Sequence, residues 1–203
     1  MSQIILPLSL RRELEQIRIV VGNANCAAVD ALADPSPWPF RTAILLGPPR
    51  SGKTLLGRWF EAQGKGAVID HADAMDETQL FHRWNRAQEE NSPLLLIADR
   101  EGWDIGLPDL RSRLGAALHL SIGAPDDEMI AGLIESHAEQ RGLALGEGAL
   151  TYLVPRTLRS FVAIERLVEE IDRLSLERKV PATQAVWRAA LEAVTGPEQA
   201  RLL

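Results

Sequence analysis

Apolar residues follow two different rhythms along this chain, and the switch between them outlines its architecture. Up to about residue 122, short unbroken apolar runs alternate with stretches of helical period. Ala43-Ile44-Leu45-Leu46, Ala67-Val68-Ile69, Leu94-Leu95-Leu96-Ile97-Ala98 and, more weakly, Ala117 to Ile122 read as buried strands. Leu55-Leu56-Gly57-Arg58-Trp59-Phe60 begins a helix that Gly64 and Gly66 end. Asp76-Glu77-Thr78-Gln79 has the form of a capping box. It opens a helix with Leu80, Phe81 and Trp84 on one face, which Asn91-Ser92-Pro93 stops. Pro108 opens a short helix through Leu114. Strands alternating with helices predict a parallel sheet with right-handed crossovers. After Pro125 the strand-like runs cease, and residues 126–141, 147–154, 158–177 and 183–194 carry the helical period. The expected organisation is an α/β domain over residues 11–123, a hinge at Gly123-Ala124-Pro125, and a small all-helical domain over residues 124–203.

Ahead of the first strand the pattern is less regular. Arg11 to Gln16 can form one helical turn, Ile19-Val20-Val21-Gly22 looks extended, and Asn23 or Asn25 can cap a short helix through Leu32. Asp34-Pro35-Ser36-Pro37-Trp38-Pro39 is a loop, because its prolines deny a helix its donors. Residues 1–10, Met-Ser-Gln-Ile-Ile-Leu-Pro-Leu-Ser-Leu, place apolar side chains on a segment that Pro7 keeps out of a helix interior or a central strand. Such a tail either packs on its own domain or is offered, extended, to the apolar groove of a partner.

The chemistry concentrates after the strand 43–46. Gly47-Pro48-Pro49-Arg50-Ser51-Gly52-Lys53-Thr54 reads G-x-x-x-x-G-K-T, the phosphate-binding P-loop, and it lies between a strand and a helix as that motif requires. Gly47 and Gly52 let the backbone turn so that successive N–H groups point at a phosphate, aided by the positive end of the helix. Lys53 can reach the β- and γ-phosphates, and the Thr54 hydroxyl can hold Mg²⁺. A P-loop also needs an acid at the end of a neighbouring strand for Mg²⁺. Asp70 and Asp99 each end a strand, and pattern alone does not choose between them. The position after the acid, where many hydrolases orient water, holds His71 or Arg100, and neither suits a general base there. Binding is therefore expected to exceed turnover.

Composition narrows the partners. Acidic residues outnumber basic ones for a net charge of −6, which argues against a broad nucleic-acid-binding surface. The single cysteine, Cys26, excludes an internal disulfide and fits a reducing cytoplasm. No apolar run approaches the ~20 residues of a membrane span. The N-terminal arginines follow the short apolar run rather than precede it, unlike a signal peptide.

With these pieces in order, the chain resembles the AAA+ ATPases, within them the DnaA initiator family, and most of all its short Hda branch. Ile19-Val20-Val21-Gly22-Asn23-Ala24-Asn25 is similar to the family's opening motif near the adenine, and Leu80-Phe81-His82-Arg83-Trp84-Asn85 to the helix after the Mg²⁺ strand. The resemblance makes Asp70 the Walker B acid and Asp99 the sensor at the end of the next strand. Leu107-Pro108-Asp109-Leu110-Arg111-Ser112-Arg113-Leu114 resembles the arginine-finger segment, with Arg113 as the finger. Thr157-Leu158-Arg159-Ser160 resembles the second-sensor segment, with Arg159 as its arginine. Gln3-Ile4-Ile5-Leu6-Pro7-Leu8 resembles the sliding-clamp-binding peptide of Hda proteins.

The resemblance implies a P-loop AAA+ core followed by an all-helical lid. About a dozen residues lie between Thr54 and Ala67, room for a helix and little else, so the sheet should be one strand short. It implies ADP or ATP held by Gly47, Pro48, Arg50, Ser51, Gly52, Lys53, Thr54 and Leu55, with Val21, Asn25 and Arg159 completing the site and Thr54 and Asp70 holding Mg²⁺. Arg113 and Asp99 would be the catalytic pair. His71 stands where an initiator has an acid, so intrinsic hydrolysis should be weak or absent. The implied partners are the DNA polymerase sliding clamp, through residues 3–8, and the DnaA initiator; a homodimer is compatible with this. Sequence-specific DNA binding is not expected, since the chain stops where an initiator begins its helix-turn-helix domain. A self-contained small P-loop ATPase, a kinase for a small acceptor and a helicase-loading factor are the rival readings, and clamp binding separates them from the first.

Overall fold

A computed structural model describes residues 19–99 and 102–196. The chain divides into two compact units, one running from Asn25 to Gly123 and one from Ala124 onward, which also takes in Val20–Ala24. The tail 3–8 lies outside the described residues.

The first unit is a parallel sheet of four strands, β1 (Thr42–Leu46), β2 (Ala67–Ile69), β3 (Leu94–Ile97) and β4 (Leu118–Ser121), in the order β2-β3-β1-β4. The helices are α1 (Cys26–Ala33), α2 (Lys53–Ala62), α3 (Glu77–Glu89) and α4 (Pro108–Gly115). Only Gln63–Gly66 separate α2 from β2, so no further strand fits there and β2 forms the sheet's edge. Every residue of β3 is buried, as expected for a parallel strand covered on both faces.

Alternation along the strands divides the core. Ile44, Leu94 and Leu96 pack with Leu80 and Trp84 of α3 and Leu110 and Leu114 of α4. Ile97 points the other way, onto α2, where a Cβ at Gly57 would stand 2.8 Å from its Cδ1 and 3.1 Å from Val68 Cγ1. A side chain at this position would make Ile97 and Val68 give way. Trp84 ties α3 to the start of β1 by donating its indole N–H to the buried Thr42 hydroxyl at 3.0 Å.

Asp76 caps α3 as expected, accepting the Gln79 N–H at 3.0 Å, while the next residue, Glu77, turns its carboxylate to a distant loop. Asn25 takes the N-cap position of α1 without a side-chain capping bond.

The second unit contains α5 (Asp127–Gln140), α6 (Ala149–Leu153), α7 (Phe161–Arg178) and α8 (Gln184–Thr195). Ile164, Leu167, Val168, Ile171 and Leu174 form one stripe of α7 and bury against Ile130 and Ile134 of α5 and Val186, Trp187 and Leu191 of α8. Each such side chain contributes about 1.5–3 kcal/mol. α7 begins at Phe161 rather than 158, because a 3-10 turn at Val154–Arg156 and the extended Ser160 delay it; Arg159 therefore precedes the helix. None of the described helices is long and apolar enough to cross a membrane.

Candidate functional site

β1 ends at Leu46 and the chain turns directly into the loop Gly47–Gly52, which feeds α2 at Lys53. Gly52, at φ 87°, is the left-handed N-cap of α2 and contributes no capping side chain. The first N–H groups of α2 therefore face the loop without an intrahelical partner. Arg50 also adopts a positive φ, 64°, and is exposed. A side chain at Gly47 would collide with Ile122 Cβ at 2.9 Å and crowd Ser51 Oγ at 3.1 Å. The Ser51 hydroxyl is buried inside the loop and has no hydrogen-bond partner.

Lys53 is only 7% exposed, yet its ammonium is fully engaged. Nζ donates to the carbonyls of Gly47 at 2.8 Å and Pro48 at 3.0 Å and forms an ion pair with Asp99 Oδ1 at 3.0 Å. The other Asp99 oxygen meets His71 Nδ1 at 2.9 Å, and the Asp99 N–H donates to Asp73 Oδ2 at 3.3 Å. Donation from Lys53, followed by smaller contributions that include His71, holds the Asp99 carboxyl below its ordinary range against a desolvation that acts the other way.

The two strand-end acids divide the work. Asp70 accepts the Thr54 hydroxyl at 2.8 Å through Oδ2 and the His71 N–H at 3.0 Å through Oδ1. Asp99 holds the lysine. β2 and β3 are neighbours, which sets their C-terminal ends side by side above the loop. Gly47, Pro48, Ser51, Gly52, Lys53, Thr54, Asp70 and Asp99 are thus brought together, with Leu55 half-buried in the first turn of α2. This set suits a polyphosphate with a divalent cation. It offers an orphaned buried hydroxyl, unpaired helix N–H groups, a loop ammonium and a Thr–Asp pair of oxygen donors.

The remaining candidates have other immediate partners. Val21 and Arg159 belong to the helical unit, where Arg159 Nη2 donates to Asp127 Oδ1 at 2.6 Å and Nη1 to the Pro125 carbonyl at 3.4 Å. Asn25 is buried at the start of α1. Arg113, in the last turn of α4, sits over the Trp84 ring at 4.5 Å and the Phe81 ring at 5.1 Å and donates to Asn85 Oδ1 at 3.3 Å. Trp84 bonds Thr42, the first residue of β1, whereas the P-loop follows the last. Arg113 is therefore at the opposite end of the sheet from its own P-loop, about 13 Å or more away along β1. Sequence reasoning missed the His71–Asp99 bond and the Glu77 contacts, which join residues far apart in the chain.

A parallel sheet in this order, with a P-loop after β1 and a helical unit following, defines a P-loop AAA+ fold. Similarity to known proteins carries this further. The chain is 29% identical to the chromosomal replication initiator protein DnaA of Thermus thermophilus over 125 residues, 61% of this chain and 29% of that protein. It superposes on domain III of the Thermotoga maritima replication initiation protein DnaA with a TM-score of 0.73 at 16% identity, covering 88% of this chain and 95% of that domain. AMPPCP-bound DnaA from Aquifex aeolicus matches with a TM-score of 0.58 at 20% identity, over 79% of this chain and 66% of that one. No family model matches the chain. The chain shares DnaA-like AAA+ homology with these initiators, and the match spans less than a third of their length.

Proposed function

We propose that this protein is a DnaA-related, adenine-nucleotide-binding regulator of chromosomal replication initiation, of the Hda type. On this reading it docks on the DNA polymerase sliding clamp through Gln3, Ile4, Ile5, Leu6, Pro7 and Leu8, and promotes hydrolysis of ATP bound to the initiator DnaA. The observation that carries it is the seat of Arg113. A guanidinium stacked on two aromatic rings at the far end of the sheet is preorganised and remote from its own P-loop, which suits action on a nucleotide held by another protein.

The resident nucleotide, ADP or ATP, would be held by the loop from Gly47 to Thr54, with the Ser51 hydroxyl and the helix N–H groups on its phosphates. Mg²⁺ would take Thr54 and Asp70 as donors. When bound, the ion supplies charge neutralisation at the phosphates. Asp99 keeps Lys53 aimed into the loop. With His71 after Asp70, where many hydrolases carry an acid, a binding role with little intrinsic turnover is favoured. A self-contained P-loop ATPase or a helicase loader is the alternative; the former has no use for Arg113 where it sits, and clamp binding separates both from the first reading.

The test is a pull-down on purified clamp with the full chain and with residues 1–9 removed. The account expects capture of the full chain only; equal capture, or none, contradicts the docking role.

A further inference from the structure

Glu77 opens α3, and the sequence gives it only a place within a capping box. Its carboxylate instead leaves the helix: Oε1 accepts the Gly106 N–H at 2.8 Å and Oε2 the Leu107 N–H at 2.7 Å. Leu107 is the N-cap residue of α4 and Pro108 follows it. Leucine has no oxygen with which to cap a helix, and proline has no N–H to be capped. The two N–H groups that lead into α4 are instead held from outside, by a half-buried carboxylate making two charge-assisted bonds. Arg111 ties the same loop from inside α4, donating Nε to the Ile105 carbonyl at 2.6 Å.

The spacing extends the argument. Residues 77, 81, 84 and 85 fall on one face of a helix. The face that places Glu77 under the start of α4 places Phe81, Trp84 and Asn85 under Arg113 in its last turn. α4 is thus held on α3 at both ends.

We infer that Glu77 is a positioning residue that fixes α4, and through it the guanidinium of Arg113, in the presented orientation. This rests on the reading of Arg113 as a finger acting in trans. Two measurements on full-length protein test it, with Glu77→Ala and with Glu77→Gln, which keeps the side-chain volume but loses the charge and one acceptor. The first is phosphate release from ATP-loaded DnaA with clamp on DNA. The expected result is a fall of about tenfold to a hundredfold in maximal stimulation, with the half-saturating concentration and ADP affinity unchanged. The second is the NMR signal of the Arg113 side chain, assigned by its loss in Arg113→Ala and shifted by the rings in the wild type. It should move toward the position of a free arginine in both variants. Full stimulation by the variants, or an unmoved Arg113 signal, overturns the inference. If wild type and Arg113→Ala release phosphate equally, the finger reading has failed, and the NMR signal still decides whether Glu77 positions Arg113.

Discussion

Replacing Asp99 with asparagine should tighten nucleotide binding. The Lys53 ammonium bonds Gly47 O, Pro48 O and Asp99 Oδ1, and the last of these is the only negative charge among them. A phosphate approaching the same ammonium would bring its own charge to about 6 Å from that carboxylate. At an effective dielectric of about 40, fitting a carboxylate that is 49% exposed, the repulsion is about 1.4 kcal/mol, or tenfold in affinity. Asparagine keeps an oxygen for Lys53 and removes the charge. Calorimetry with ADP and ATP should give dissociation constants about tenfold lower for Asp99→Asn, with the larger gain for ATP. Unchanged or weaker binding would refute the electrostatic reasoning and make Asp99 a ligand-side partner instead.

The acid limb of stability gives a related check. The Asp99 carboxyl is depressed in the folded protein, so its contribution is present above the ordinary carboxylate range and is lost as pH falls through the folded value. Urea midpoints should fall less steeply below about pH 4 in Asp99→Asn than in wild type. Lys53→Ala should abolish most nucleotide affinity, read by calorimetry, while circular dichroism shows an intact fold. Gly57→Ala should destabilise the α/β unit by about 1–3 kcal/mol in urea titration, because its Cβ would press on Ile97 and Val68.

Much of the fold was legible because its signals are local. The runs at 43–46 and 94–98 are apolar enough to be strands buried on both faces, and the G-x-x-x-x-G-K-T spacing fixes the loop between β1 and α2. The short interval after Thr54 announced the narrow sheet. The interactions within the site were less legible. Asp70 and Asp99 looked alike as strand-end acids, and only the adjacency of β2 and β3 separates the one that meets Thr54 from the one that meets Lys53. Glu77 read as part of a cap, because nothing in four residues announces a partner about thirty positions downstream. The bed of rings under Arg113 depends on how α3 and α4 pack, which periodicity does not specify.

The central claim is that Arg113 serves a nucleotide bound to another protein. Phosphate release from ATP-loaded DnaA, with clamp on DNA and with this protein as wild type or Arg113→Ala, tests it most directly. A finger supplied in trans is worth about 10³–10⁵ in rate in well-studied NTPases. The account predicts stimulation by wild type that Arg113→Ala loses while keeping its own nucleotide and clamp binding. Stimulation undiminished in Arg113→Ala, or none from the wild type, would contradict it.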